Sequence, residues 1–535
     1  MVLNEIYTGA GLSATMIPEA DFEISQAFGT VQEDVSGLYL LLNSDSLDTL
    51  TWSLTNDTRL VADIYKGCMA TLTAYTNADG LIVSGSEVTL MIKTNTANTI
   101  VFNQNLHSAL GVENTSGYGF TCKILSYGAP VYAPTPTASK VTLLSDNWLG
   151  LVNTISPPTV EAEMKQVNLA LGGTRNFGFQ FKGAETLGEA SIDVSLNNGS
   201  WLYYTLGNLN SLTTTGQGTN TLNALSEQSG KAFAKSGTTK IYRVQAGTGD
   251  EKILPTPTAT VSADLENYDE IDADTVLTYG FTENNTGDLP SFALEVTNQK
   301  GSLTTLETDA APSSSVFTRI FTGCQVQSLA LNFEEGQEVK ATIGAVARKA
   351  HNSAAAYLPK RATTSPTDLF NYNSTANNNP YMFSDGSLKI YGQTFARVKS
   401  GTLTISNNLT PQRFIGQYDK TITSAHIAGQ RTYELTMNLL ITDMTVWTEL
   451  RNQNETSSTS NSLGSTAGTD FGLIELVFAK DGSASDKITI KLDDYLTQSV
   501  DIPFPEDKGP LEVSVTISAR TLNSCEYVGR HVIQI

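Results

Sequence analysis

At 535 residues the chain is too long for a single hydrophobic core and implies several domains. Charged side chains make up only 16% of it and the formal net charge is -21, which excludes the basic face that a phosphate-clamping nucleic-acid binder needs. Such a balance suits a soluble protein past which polyanions can move; no stretch approaches the ~18 apolar residues of a membrane span.

The opening Met1-Val-Leu-Asn-Glu-Ile has neither the basic nor the apolar region of a secretory signal, so the expectation is a protein that is not exported. Residues 1–131 alternate short strand-like runs, such as Val88-Thr-Leu-Met-Ile-Lys, with turns, and predict a separate N-terminal β domain. Pro134 and Pro136 make residues 132–139 a stiff linker. A first β-rich unit follows over 140–349. It includes Val160-Glu-Ala-Glu-Met-Lys and Phe177-Gly-Phe-Gln-Phe-Lys, the alternating run Ala190, Ile192, Val194, Leu196, and the closing segments Gly323–Phe333 and Glu338–Ile343. Its low-complexity tract, 213–229, reads as a surface excursion. The acidic run 264–274 lacks the turn glycine and terminal glutamate of an EF-hand and reads as a solvated loop. A polar connector spans 350–385.

The second unit, 386–535, repeats the order. Tyr433, Leu435, Met437 and Leu439 alternate as the earlier run does. Ser200 and Asp443 stand as N-caps of short helices carrying Tyr203, Tyr204 and Leu206, or Val446, Trp447 and Leu450. In the closing segments Ser328 answers Ser499, Phe333 answers Phe504, and Glu-Val-x-x-Thr-Ile recurs at 338 and 512 after a turn three residues longer. The matched order points to a tandem repeat. Between two good strands of the second unit, 407–429 is far longer than a usual hairpin loop. It carries Phe414, Ile415 and Tyr418 beside Arg413, and it reads as an interface arm.

Chemistry is hard to find. Cys68, Cys122, Cys324 and Cys525 lie too far apart for a metal spacing and read as reduced, buried thiols. His107, His351, His426 and His531 are isolated. There is no nucleophile elbow, phosphate loop or dinucleotide fingerprint. The expectation is an all-β, non-enzymatic protein with short flanking helices and with no cofactor and no metal.

The segments Trp201-Leu-Tyr-Tyr-Thr-Leu-Gly, Leu289-Pro-Ser-Phe-Ala-Leu-Glu-Val and Phe321–Leu331 resemble the first half of tail tube proteins of long-tailed bacteriophages. Val398–Leu409, the stretch around Gly429-Gln-Arg-Thr-Tyr-Glu-Leu-Thr, and Ile502-Pro-Phe-Pro-Glu-Asp-Lys-Gly-Pro-Leu-Glu-Val resemble the second half. The resemblance covers roughly 140–535. It implies two tandem β-sandwich units, six of which close into a ring around one continuous barrel, so that three chains give a pseudo-hexameric ring, and it implies that rings stack through long hairpins. Four strands per unit would make about 24 strands at ~4.8 Å spacing and ~45° tilt, a barrel ~50 Å across, roughly 40 Å inside the side chains. Duplex DNA, about 20 Å wide, passes.

The resemblance further implies a virion tail component assembled in the host cytoplasm, with a tape measure protein and terminator and tip proteins as partners, viral DNA conducted without specific binding, and no membrane. Arg413, Phe414, Ile415 and Tyr418 are the candidate inter-ring contacts, and the N-terminal domain is an external decoration. A competing reading is a surface-displayed adhesin or sugar-binding module using Trp52 and Trp201 as aromatic platforms; a capsid decoration protein would share the trimeric state without the stacking.

Overall fold

The computed structural model describes residues 7–18, 22–25, 39–42, 49–53, 69–76, 82–95, 99–102, 118–124, 141–143, 151–168, 178–215, 232–235, 241–244, 268–271, 276–285, 289–300, 316–353, 379–390, 393–394, 397–414, 425–440, 474–501 and 509–529, with a few isolated positions besides. Among these residues the chain is almost wholly β, as its β-branched and aromatic alternation predicts.

In chain order the elements are β1 (Tyr7–Pro18), then β2 to β8 (Phe22–Ser25, Tyr39–Leu42, Thr49–Ser53, Met69–Thr76, Ile82–Asn95, Thr99–Phe102, Tyr118–Ile124) and β9 (Val141–Leu143). The first unit continues through β10 (Leu151–Ser156), β11 (Val160–Val167), β12 (Phe179–Leu187), β13 (Ala190–Ser195), α1 (Ser200–Leu206) and β14 (Gly207–Thr215). It then runs through β15 (Ala232–Lys235), β16 (Ile241–Val244), β17 (Tyr268–Ile271), β18 (Val276–Glu283), β19 (Phe292–Lys300), β20 (Val316–Glu334), β21 (Lys340–Val346) and β22 (Lys349–Ser353). The second comprises β23 (Gly386–Ile390), β24 (Gln393–Thr394), β25 (Val398–Ser406), β26 (Thr410–Gln412), β27 (Ala425–Ile427), β28 (Thr432–Leu440), β29 (Ile474–Ala479), β30 (Lys487–Asp501) and β31 (Glu512–Gly529).

One hydrogen-bonded path runs β10-β13-β21-β20-β25-β28-β31-β30, all antiparallel. It is a single four-strand order met twice: β10-β13-β21-β20, then β25-β28-β31-β30. A hairpin interrupts each quartet between its first two strands, β11–β12 in one and β26–β27 in the other. The closing pairs carry a bulge at matching places, between Val326 and Ser328 on β20 and between Thr497 and Ser499 on β30.

The likeness extends to the second layer. The N-terminal half of β20 pairs with β19 and β22, and β19 pairs with β1. In the same way the first part of β30 pairs with β29 and with the latter half of β31, and β29 pairs with β23. In this comparison β1 corresponds to β23. The first strand of the chain therefore pairs into the sheet of the first β-rich unit, whereas the sequence reading placed it, with residues 1–131, in a separate N-terminal domain. The seven-stranded sheet β2-β8-β5-β6-β7-β4-β3 is inserted between β1 and β10, where the second unit has only residues 391–397. Likewise β22, which includes the buried His351, and the buried Tyr381 are built into the fold although they fall in the expected connector.

The apolar alternation positions all point one way. Ala190, Ile192 and Val194, Leu329 and Leu331, Leu403 and Ile405, Tyr433, Leu435 and Met437, and Val515 and Ile517 join one core that spans both units. Helix α1 plugs this core with Trp201, Tyr204 and Leu206. Its N-cap is Gly199, not Ser200. Gly199 lies against the Tyr527 side chain, where an added Cβ would stand 2.6 Å away, so the turn begins one residue earlier and the Asn198 side-chain oxygen accepts the Ser200 N–H at 2.9 Å. Gly207 ends the helix in the left-handed region at φ 95, donating its N–H to the Tyr203 carbonyl. The helix expected after Asp443, with Val446, Trp447 and Leu450, lies outside the described residues.

A buried polar cluster ties the units together. Lys480 pairs with Asp486 at 3.0 Å, donates to the Asn197 carbonyl of the first unit at 3.2 Å, and sits 4.7 Å from the Tyr381 ring centre. Tyr381 donates its hydroxyl to Asp486 at 2.8 Å, and its backbone bridges Leu196 and Val339. Burial lowers the Lys480 pKa, and Asp486 opposes that shift.

Candidate assembly surface

Strand alternation that sends apolar residues inward places hydroxyls and amides on the other face of the eight-strand path. Thr154, Ser191, Ser328, Asn332, Ser400, Thr402, Thr404, Thr432, Thr436, Asn438, Ser514 and Thr516 line it, partly or fully exposed. Thr402 donates to Asn332 at 2.8 Å across β20 and β25, and Asn438 donates to Ser400 at 3.0 Å. Among the described side chains it carries Glu189, Asp193, Glu334, Glu434 and Glu512 against Lys340, Lys399 and Arg520, a modest acidic excess.

The two quartets meet at β20 and β25, Ser328 opposite Ser406 through Glu334 opposite Ser400. Gly401 is needed there: an added Cβ would stand 2.4 Å from the Phe333 ring. At the ends of the path two edges are open among the described residues. Strand β10 pairs only with β13, and β30 beyond Leu492 pairs only with β31.

The two hairpins differ in how they sit. Along β11 and β12 no residue is buried, whereas β26–β27 lies down on the body through buried Leu409, Thr423 and His426. Arg348 and Thr423 exchange two hydrogen bonds there, each 3.0 Å. At the root of this second hairpin Asn407 is 1% exposed. Its amide nitrogen donates to the carbonyls of Thr205 at 3.0 Å and Val326 at 2.9 Å, and its oxygen accepts from Arg431 Nε at 2.8 Å. Arg431 also reaches the Leu206 carbonyl at the end of α1.

Of the anticipated contact residues, Arg413 is exposed and its guanidinium donates within the chain to the Glu185 carbonyl of β12, linking the two hairpins. Phe414 is 58% exposed. Ile415 and Tyr418 lie outside the described residues. Sequence reasoning placed β11 and β12 in the first β-rich unit without setting them apart from its core strands; the signal available was charge on both, in Glu161, Glu163 and Lys165, and in Lys182 and Glu185. Trp201, the alternative reading's sugar platform, is 3% exposed and packs edge-on against Phe292. Cys324 and Cys525 are buried, the Cys324 thiol donating to the Phe321 carbonyl at 3.5 Å, and burial raises the pKa of Cys525. Among the described residues no group of three His, Cys, Asp or Glu is placed to hold a metal ion.

Burial, then the nearby Arg348 guanidinium, lowers the His426 pKa to about 4, and its Nδ1 has no hydrogen-bond partner. The unfolded chain takes up this proton near pH 6.5 and the folded one only near 4. The contribution is therefore complete above pH 6.5 and is lost as pH falls toward 4, approaching about 3 kcal/mol. Replacing His426 with Gln is expected to shrink the drop in urea midpoint between pH 7 and pH 4.5; an unchanged drop contradicts this.

A family model described as phage tail tube protein matches residues 70–519, beginning within the inserted sheet and ending in the first half of β31. No curated protein matches the chain. The match spans most of the sequence: the chain, all-β among its described residues apart from short helices, belongs to the phage tail tube protein family.

Proposed function

We propose that three copies of this chain close into a ring of six like units, that rings stack into the tail tube, and that DNA passes through the lumen during ejection. The observation that carries the reading is the repeated quartet with open edges at both ends of its path. Within one chain, the last strand of the first quartet pairs with the first strand of the second, β20 with β25. Repeating that step sets β30 of one copy against β10 of the next, and cyclic closure leaves no open edge in the barrel. The four-strand order of each quartet matches the four strands per unit from which the ~50 Å barrel follows.

The hydroxyl- and amide-lined face is then the lumen. Its modest acidic excess offers phosphates no continuous cationic track, so DNA slides without the counterion release that accompanies tight binding. The tandem likeness is read as duplication, the length-setting partner as a tape measure protein, and the end partners as terminator and tip proteins. Assembly takes place in the host cytoplasm.

The β20·β25 register specifies the test. Ser328 corresponds to Ser499, and Ile155 faces Ile192 as Leu403 faces Leu435. The Ala330·Thr404 pair therefore becomes Asp501 facing Ser156 of the next copy, within disulfide reach. Oxidised Ser156→Cys/Asp501→Cys protein is expected to run as dimers and trimers and nothing larger on a denaturing gel. Monomers alone, from assembled protein, contradict the seam, and long ladders contradict the closed trimer.

A further inference from the structure

We propose that the two hairpins of each chain have unequal jobs: β11–β12 is the arm that docks on a second copy of this chain in the adjoining ring, and β26–β27 braces its root. The proposal rests on the stacked-ring reading and assigns its contact. Among the described residues, seven of the ten exposed large apolar side chains sit on the hairpins, Val160, Met164, Val167, Phe179 and Phe181 on the first and Phe414 and Ile427 on the second. Water-exposed aromatics so concentrated mark a contact surface.

Cross-strand register sorts the first set. Val167 lies opposite Phe179 and Lys165 opposite Phe181. Opposed residues share a face, so Val167, Phe179 and Phe181 form one apolar patch on the outer half of the hairpin. Their exposures are 41%, 63% and 53%. Beyond Leu187, which packs on the core at its base, the hairpin has no buried residue, while its neighbour lies against the body and reaches it through Arg413.

Area identifies the occupant. One such patch presents on the order of 300 Å² of apolar surface, well short of the roughly 800 Å² per partner of a stable complex. A lone arm therefore does not hold a lone partner. Three arms engaged at once, as a ring facing a ring offers, sum to about 900 Å² and gain from linkage. A second ring of the same chain supplies that threefold match. With one such arm per chain among the described residues, successive rings register in steps of a third of a turn rather than a sixth.

The test compares Phe179→Asp/Phe181→Asp with Phe414→Asp in the full-length chain, read by native mass spectrometry for rings and negative-stain microscopy for tubes. Both sets of side chains are exposed, and unchanged thermal melts check that folding is intact. The first variant is expected to form three-chain rings but to require at least ten-fold more protein to form tubes; the second is expected to form tubes at the wild-type concentration. Normal tubes from the first variant, or failure of its rings while it remains folded, overturns the assignment. So does a loss of tubes in Phe414→Asp equal to that in the first variant. Absence of rings from the wild-type chain sinks the underlying reading instead.

Discussion

Excising residues 22–124 and joining the ends through a short flexible linker is expected to leave a soluble protein that still forms rings, whereas deleting residues 1–139 is expected to leave one that does not fold. The second cut falls at the proline-rich linker and looks the safer from sequence. It removes β1, which covers the edge of β19 from Tyr7 opposite Lys300 to Pro18 opposite Phe292. Met16 is buried there, and Leu12 and Ala14 pack on the core. Losing the Met16 contact alone costs about 1.5–3 kcal/mol. With the exposed β19 edge the total reaches on the order of 5 kcal/mol, comparable with the whole stability margin of a domain. The first cut removes only the inserted seven-stranded sheet, and the second unit makes the corresponding connection with residues 391–397. Soluble yield and thermal melting decide it: a well-folded product lacking residues 1–139 contradicts the assignment of β1.

Replacing Asn407 with Leu, close in size but unable to hydrogen-bond, is expected to cost about 3–5 kcal/mol. The change strips partners from the Thr205 and Val326 carbonyls and from Arg431 Nε in a site closed to water. Each buried group left unpaired costs about 1–3 kcal/mol, more where a charge is involved. The damage should be local first, since the same residue pins the root of β26–β27 to the end of α1 and to β20. Limited proteolysis should therefore cut within 407–431 before the rest of the chain. Wild-type resistance there, with an unchanged urea midpoint, contradicts the role given to Asn407.

Much of this architecture is written in local pattern. Ile192, Val194, Leu435 and Met437 announce strands and their buried face because a pleated chain has period two. The matched Ser328 and Ser499 even mark a shared bulge. What local pattern does not carry is partnership. The pairing of β1 with β19 joins segments nearly the length of a domain pair apart, and nothing within Tyr7–Pro18 names its partner. Nor does alternation say what a face meets. Phe179 and Phe181 alternate as core residues do, yet they face water in the single chain, and alternation alone does not distinguish the two cases. Asn407 reads as one polar residue in a polar segment, and its role emerges only when α1 and β20 converge on it.

End-on cryo-electron microscopy of assembled protein tests the central claim most directly, because a ring of six sandwiches from three chains has a distinctive symmetry. The account predicts six similar lobes around a lumen roughly 40 Å wide, related by true threefold and approximate sixfold symmetry, with β30 of each chain laddered to β10 of the next. Six chains per ring, or an assembly in which each chain closes its own barrel, would contradict it.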